Sequence, residues 1–75
     1  MSVTKQLKKD IAILDAEITA LEIKRSRSEA AIIEALVGGE EPTIDDIKYF
    51  RKYTAEIEEK RERIVLMQQQ LDTVY

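Results

Sequence analysis

The stretch that decides the fold is Gly38-Gly39-Glu40-Glu41-Pro42-Thr43, near the middle of a chain of 75 residues. It contains both glycines and the single proline of the sequence. Glycine adopts the left-handed backbone conformation that commonly ends a helix, and proline cannot continue a helix through its own position. Residues 38–43 therefore predict a bend between two long helices.

Thr43 is predicted to begin the second helix. Its hydroxyl can accept from a backbone N–H of the first turn, and Asp46 occupies the acidic position of a capping box. Asp45 and Asp46 also place negative charge at the positive end of the helix dipole. The carboxylates that crowd this end would repel a phosphate, so a cap is favoured over an anion site.

The composition excludes several classes of protein. The chain has no cysteine and no histidine, which excludes disulfides, ordinary zinc sites and triads built on histidine or cysteine. We therefore expect no enzymatic activity, no catalytic, cofactor or metal site and no small-molecule substrate. Charged residues make up 36% of the chain, with a net charge of −3, so no strongly charged partner is implied.

Neither a membrane span nor a signal peptide is expected. No run of 18 apolar residues occurs, and the first residues lack the continuous apolar core of a signal peptide. The expected location is cytoplasmic, or virion-associated if the chain is viral, and not secreted.

Two segments carry the alternating three- and four-residue steps of a coiled-coil seam. In residues 4–37 the seam is Leu7, Ile11, Leu14, Ile18 and Leu21, then polar Arg25 and Ser28, then Ile32 and Ala35. In residues 44–74 it is Phe50, Tyr53, Ile57, Lys60, Ile64, Met67, Leu71 and Val74. Pairs at i, i+4 join Glu56 to Lys60 and Glu59 to Arg63.

Folding the two seams together predicts an all-α fold, an antiparallel two-helix coiled-coil hairpin. Residues 1–75 would form a single unit with a helix at 4–37, a bend at 38–43 and a helix at 44–74. Arg25 and Ser28 would lie toward Tyr53, Ile57 and Lys60, in a register that could slip by half a heptad. A rod this thin has little interior, so we expect a dimeric four-helix bundle or docking on a larger assembly.

The first helix carries a second stripe on its opposite side. Its members are Ile13, Ala16, Ala20, Ile23, Ala30 and Ile33. A hairpin partner covers one side of a helix and not both, and small side chains let another helix approach closely. We therefore predict that this stripe is a self-association face, although scattered surface alanines and isoleucines are also normal.

A basic and aromatic stretch supports a different hypothesis. Residues 48–53 interleave cations with aromatic rings, a combination that can pair with phosphates and stack on bases. The candidate contact residues are Arg25, Arg27, Lys48, Tyr49, Arg51 and Lys52. An ordinary solvated face is the competing interpretation, and the same patch could bind an acidic protein surface.

The sequence thus favours a non-enzymatic protein–protein interaction module that acts through helical packing. It would serve as a scaffold, assembly factor, virion component or inhibitor, with another copy of itself or a larger protein as partner. The alternative is a small nucleic-acid-binding or transcription-regulating protein that uses the basic patch.

Overall fold

The computed structural model describes residues 2–74, which form two helices. Helix α1 runs from Val3 to Val37 and helix α2 from Ile44 to Val74. They pack against each other in opposite directions as a rod of 55 × 16 × 16 Å. The predicted all-α helical hairpin is therefore confirmed; its association with further chains stays a prediction.

Helix α1 begins one residue earlier than predicted because Ser2 caps it. The Ser2 hydroxyl oxygen accepts a hydrogen bond from the backbone N–H of Lys5 at 3.2 Å, and the Ser2 carbonyl accepts from the N–H of Gln6 at 3.1 Å. A serine at this position satisfies N–H groups that the first turn leaves without a partner. Val3 is therefore the first helical residue.

The end of α1 is a Schellman motif. The N–H of Glu40 donates to the carbonyl of Ala35 at 2.8 Å, and the N–H of Gly39 donates to that of Leu36 at 3.1 Å. This pattern requires a left-handed residue after the helix, and Gly39 provides it with φ +75°. Of the two glycines, Gly39 is the one whose conformation a side chain would strain.

Thr43 starts α2 as predicted. Its hydroxyl oxygen accepts from the backbone N–H of Asp46 at 3.2 Å. The same hydroxyl donates to the Asp46 carboxylate at 2.8 Å, whereas a full capping box would bring that carboxylate to the backbone N–H of Thr43. The side chains of Thr43 and Asp46 thus fix the point where the chain leaves the bend.

The core is the seam between the helices. Its buried apolar residues are Leu7, Leu14, Ile18, Leu21, Ile57 and Leu71. Ile18, Leu21 and Ile57 form a central cluster against which Tyr53 and Ile64 pack. Ser28 is a polar seam position, and it is buried as well. The seam position predicted at Val74 lies outside the described side chains.

The polar seam positions have partners that were not predicted. Lys60 forms an ion pair with Glu17 at 2.6 Å, while Arg25 lies over the ring of Phe50, 6.0 Å from its centroid. Lys60 and Arg25 carry the same charge, so each is better placed beside a carboxylate or an aromatic face. The local pair between Glu59 and Arg63 forms as predicted, at 2.9 Å, whereas Lys60 pairs with Glu17 and not with Glu56.

Candidate protein interface

The predicted self-association face is exposed along α1. Ile13, Ile23 and Ile33 are each about half exposed, and Ala16, Ala20 and Ala30 are exposed as well. Helical periodicity places these residues on the side of α1 that points away from the seam and from α2. We call this side the outer face of α1.

The outer face of α1 lacks charge in its middle part, between Asp10 and Lys24. Between Asp10 and Lys24 the outward positions are Ala12, Ile13, Ala16, Thr19, Ala20 and Ile23, all of them exposed. The corresponding side of α2 differs, because its exposed outward positions include Lys48, Arg51, Lys52, Glu58, Glu59 and Glu62. A helix surface that meets only water usually resembles that of α2. The difference marks the outer face of α1 as the surface suited to packing.

The two hydroxyl groups on the outer face already have partners within the helix. The hydroxyl of Thr19 donates to the carbonyl of Asp15 at 3.1 Å, and the hydroxyl of Ser26 donates to the carbonyl of Ile23 at 2.8 Å. A partner that covers this face would therefore leave neither hydroxyl without a hydrogen bond. The face is ready for apolar contact.

Charged side chains lie along the flanks of the rod, where they join the two helices. Lys60 reaches Glu17 on one flank. On the other, Arg61 reaches Glu22 at 3.2 Å, with both side chains well exposed. Exposed ion pairs contribute little to stability, about 0.2–1 kcal/mol each. These paired charges lie beside the outer face of α1 and not on it.

Further apolar side chains that were not predicted as contact residues are exposed on α2 and at the bend. Val65 and Leu66 are exposed on α2. At the bend, Leu36 is exposed and Val37 and Ile44 are 84% and 83% exposed. The exposure of Val65 and Leu66 could have been predicted from the sequence. Both residues directly follow the seam residue Ile64, so they cannot both face α1.

The basic and aromatic candidates do not form one patch. Arg25 is half-buried in the seam, where its guanidinium group lies over the ring of Phe50. Tyr49 stacks on Tyr53, with ring centroids 6.2 Å apart and planes inclined by 18°. Two of the predicted contact residues are thus already packed against aromatic rings of their own chain, which reduces what they can offer to a base.

The remaining cations of this group point to solvent. Lys48 and Arg51 line a shallow hollow with Ile44 and Ile47 on one flank of α2. Arg27 and Lys52 are exposed. Among the described residues, none of these four cations forms an ion pair, in contrast to Lys60, Arg61 and Arg63.

Residues 2–74 include no cluster of acidic side chains arranged to hold a metal ion. Four carboxylates do line one hollow at the bend, those of Glu34, Glu40, Glu41 and Asp46. The hollow makes the bend end of the rod negatively charged.

Neither helix, over its described length, has an apolar stretch long enough to cross a membrane.

Comparison with known proteins found no match from which a function could be inferred. No protein-family model matches the chain, and no curated protein or solved structure shows significant similarity to it.

Proposed function

We propose that this chain is a non-enzymatic interaction module that associates with itself through the outer face of α1 and thereby joins or blocks a larger protein assembly. The observation that carries the proposal is the uncharged, exposed surface between Asp10 and Lys24. Its isoleucines and alanines have the spacing of a helix-packing surface. Its hydroxyl groups are satisfied internally.

The energetics of the rod support association. Within the described part of the chain six apolar side chains are buried, and the central cluster consists of Ile18, Leu21 and Ile57. A single core in a chain of this size rarely contributes more than about 3–5 kcal/mol of net stability. Burying apolar surface yields about 25 cal/mol per Å². Covering Ile13 and Ile23 would therefore add substantially to the small net stability of the hairpin. A partner therefore stabilises the hairpin as well as binding to it.

The chemistry of the exposed side chains agrees with a binding role. General acid–base catalysis needs a group whose protonation is tuned in a water-excluding pocket. The described carboxylates lie on the surface of a thin rod or in shallow hollows along it. What the rod offers is a long, regular surface for another helix.

Sedimentation equilibrium tests the proposal. The wild-type chain is expected to sediment above its monomer mass of 8.7 kDa, and the double variant Ala20→Asp/Ile23→Asp is expected to sediment as a monomer. The matched control Ala55→Asp/Gln69→Asp adds the same charge to exposed positions of α2 and should keep the wild-type mass. A monomeric wild type, or an unchanged mass for the Ala20/Ile23 variant, would refute the proposal.

A second candidate function, nucleic-acid binding, is favoured by one observation. Lys48, Arg51, Lys52 and Arg27 are exposed and, among the described residues, without ion-pair partners. Binding through them would weaken steeply with salt, because each phosphate contact releases a counterion. Fluorescence anisotropy with duplex and single-stranded probes would test this, and Arg51→Gln/Lys52→Gln should reduce both affinity and salt slope. Absence of binding at low salt would remove this candidate.

A further inference from the structure

We infer that the partner on the outer face of α1 is a second copy of the chain lying antiparallel to the first, so that the amino-terminal end of each α1 meets the bend end of the other. This inference rests on the proposed self-association and specifies its geometry. Three observations support it: the charges at the two ends of the face, the distribution of large and small side chains, and the length of the face.

The two ends of the outer face carry opposite charge. Lys5 and Lys9 are exposed outward positions at its beginning, and Glu34 is an exposed outward position near its end. Beyond Glu34, the hollow at the bend adds the carboxylates of Glu40 and Glu41. Among the described residues, neither Lys5 nor Lys9 forms an ion pair. The positive end of one copy therefore complements the negative end of another.

These charges distinguish the two possible orientations. A parallel dimer brings Lys5 and Lys9 beside their own counterparts and Glu34 beside Glu34, and like charges at these distances repel. It also places Arg27 against Arg27. An antiparallel dimer pairs lysine with glutamate at both ends of the face and places Arg27 opposite the small side chain of Ala12. Electrostatics therefore favours the antiparallel arrangement.

The side chains of the face also fit an antiparallel register. When Lys5 lies opposite Glu34, Ile23 lies opposite Ala16, and Ala20 lies near the two-fold axis. Large side chains then meet small ones, which allows the close packing of two helices. The same register places Lys9 opposite Ala30.

The length of the face is sufficient for a dimer of modest affinity. From Lys5 to Glu34 it extends about 44 Å at ~1.5 Å per residue. A strip ~10 Å wide on each copy would cover on the order of 900 Å² in total, just below the ~1,000 Å² minimum of a stable specific interface and in the range of weak, reversible ones. The four helices would lie in the order α2, α1, α1, α2, because the outer face is opposite α2. This row is flatter than a bundle of four helices around one shared core, and it keeps both charged outer sides of α2 in water.

Disulfide cross-linking tests the orientation, because the chain has no cysteine of its own. The variants are Lys9→Cys and Ala30→Cys, two exposed positions on the outer face. An equimolar mixture is expected to give the mixed disulfide, while each variant alone gives at least about ten-fold less. In the antiparallel dimer the two Ala30 positions are about 30 Å apart at ~1.5 Å per residue, far beyond the reach of a disulfide.

A cysteine on α2 provides the control for this cross-linking experiment. Ala55→Cys, exposed on α2, should not form a disulfide with itself; if it links as readily as the mixture, another face is used and the inference fails. Efficient self-linking of Ala30→Cys would show a parallel dimer and overturn the inference while leaving the proposed function intact. A wild-type chain that remains monomeric at every concentration would instead remove the proposed function.

A charge exchange provides a second test that does not depend on a single contact distance. Lys5→Glu/Lys9→Glu and Glu34→Lys should each raise the dissociation constant of the dimer about five-fold, and the triple variant should return it close to the wild-type value. Restoration requires that the two ends of the face meet across the dimer. Failure of the triple variant to recover affinity would overturn the antiparallel arrangement.

Discussion

Truncating an isoleucine at Ile57 or at Ile23 should have different consequences, although the chemical change is the same. Ile57 is 2% exposed at the centre of the seam, whereas Ile23 is 55% exposed on the outer face of α1. Ile57→Ala removes three buried carbons, worth about 2.4 kcal/mol at ~0.8 kcal/mol each. The residual cavity adds to this, so we expect a total loss of about 3–4 kcal/mol. That is most of the stability expected for a single core in a chain of this size.

Ile23→Ala should behave differently at low and high chain concentration. In an isolated hairpin the exposed side chain contributes little, and its truncation should cost less than about 0.5 kcal/mol. In a dimer that buries the outer face, the same truncation removes packed surface and weakens association. The effect should therefore appear only where the wild-type chain is associated, because association makes apparent stability depend on concentration.

Urea denaturation followed by far-ultraviolet circular dichroism, at a low and a high chain concentration, would separate the two effects. Ile57→Ala should lower the free energy of unfolding at both concentrations, and Ile23→Ala only at the high one. A loss below about 1 kcal/mol for Ile57→Ala would contradict the seam as the main source of stability. An equal loss for both variants in dilute solution would show that the outer face is part of the core of a single chain.

Three further predictions concern the bend and the seam, each measured by urea denaturation. Gly39→Ala should lower the free energy of unfolding by about 1–2 kcal/mol, because φ of Gly39 is +75°. Gly38 has φ −77°, and a Cβ added there would meet its nearest atom at 3.4 Å, so Gly38→Ala should be neutral or stabilise the fold by up to about 1 kcal/mol. Equal losses for the two variants would contradict the left-handed conformation of Gly39. The Thr54 hydroxyl oxygen is buried without a hydrogen-bond partner among the described residues, so Thr54→Val should add about 1 kcal/mol; a decrease would show that the hydroxyl has a partner. A double-mutant cycle on Glu17 and Lys60, whose side chains are 46% and 25% exposed, should give a coupling below about 1 kcal/mol that falls with added salt, and a larger, salt-independent value would contradict a surface ion pair.

The sequence predicts the hairpin well because its helix-breaking residues are confined to one place. Gly39 and Pro42 interrupt an otherwise continuous helical pattern, and the seam follows from the spacing of residues such as Leu14 and Ile18. The Ser2 cap was not predicted, since one serine near a terminus is not distinctive. These successes and this failure both come from local chemistry.

The register of the seam depended on contacts between distant residues. Lys60 pairs with Glu17, 43 residues away, and a periodic pattern does not specify which charged side chain a given lysine will reach. Exposure of the stripe from Ile13 to Ile33 did follow from periodicity, because it lies opposite the seam. Its occupant does not follow from periodicity, since spacing along one chain describes a surface and not the molecule that covers it.

The hydrogen-bonded bend at Gly39 also suggests an order in which the rod assembles. Contacts between the arms join residues farther apart along the chain as they lie farther from the bend, from 39 residues for Glu22 and Arg61 to 43 for Glu17 and Lys60. Closing a short loop costs less entropy than closing a long one, so we expect the arms to zip together from the bend outward. A destabilising substitution at Gly39 should then lower the refolding rate in stopped-flow experiments. A destabilising substitution at Leu7 or Leu71 should mainly raise the unfolding rate.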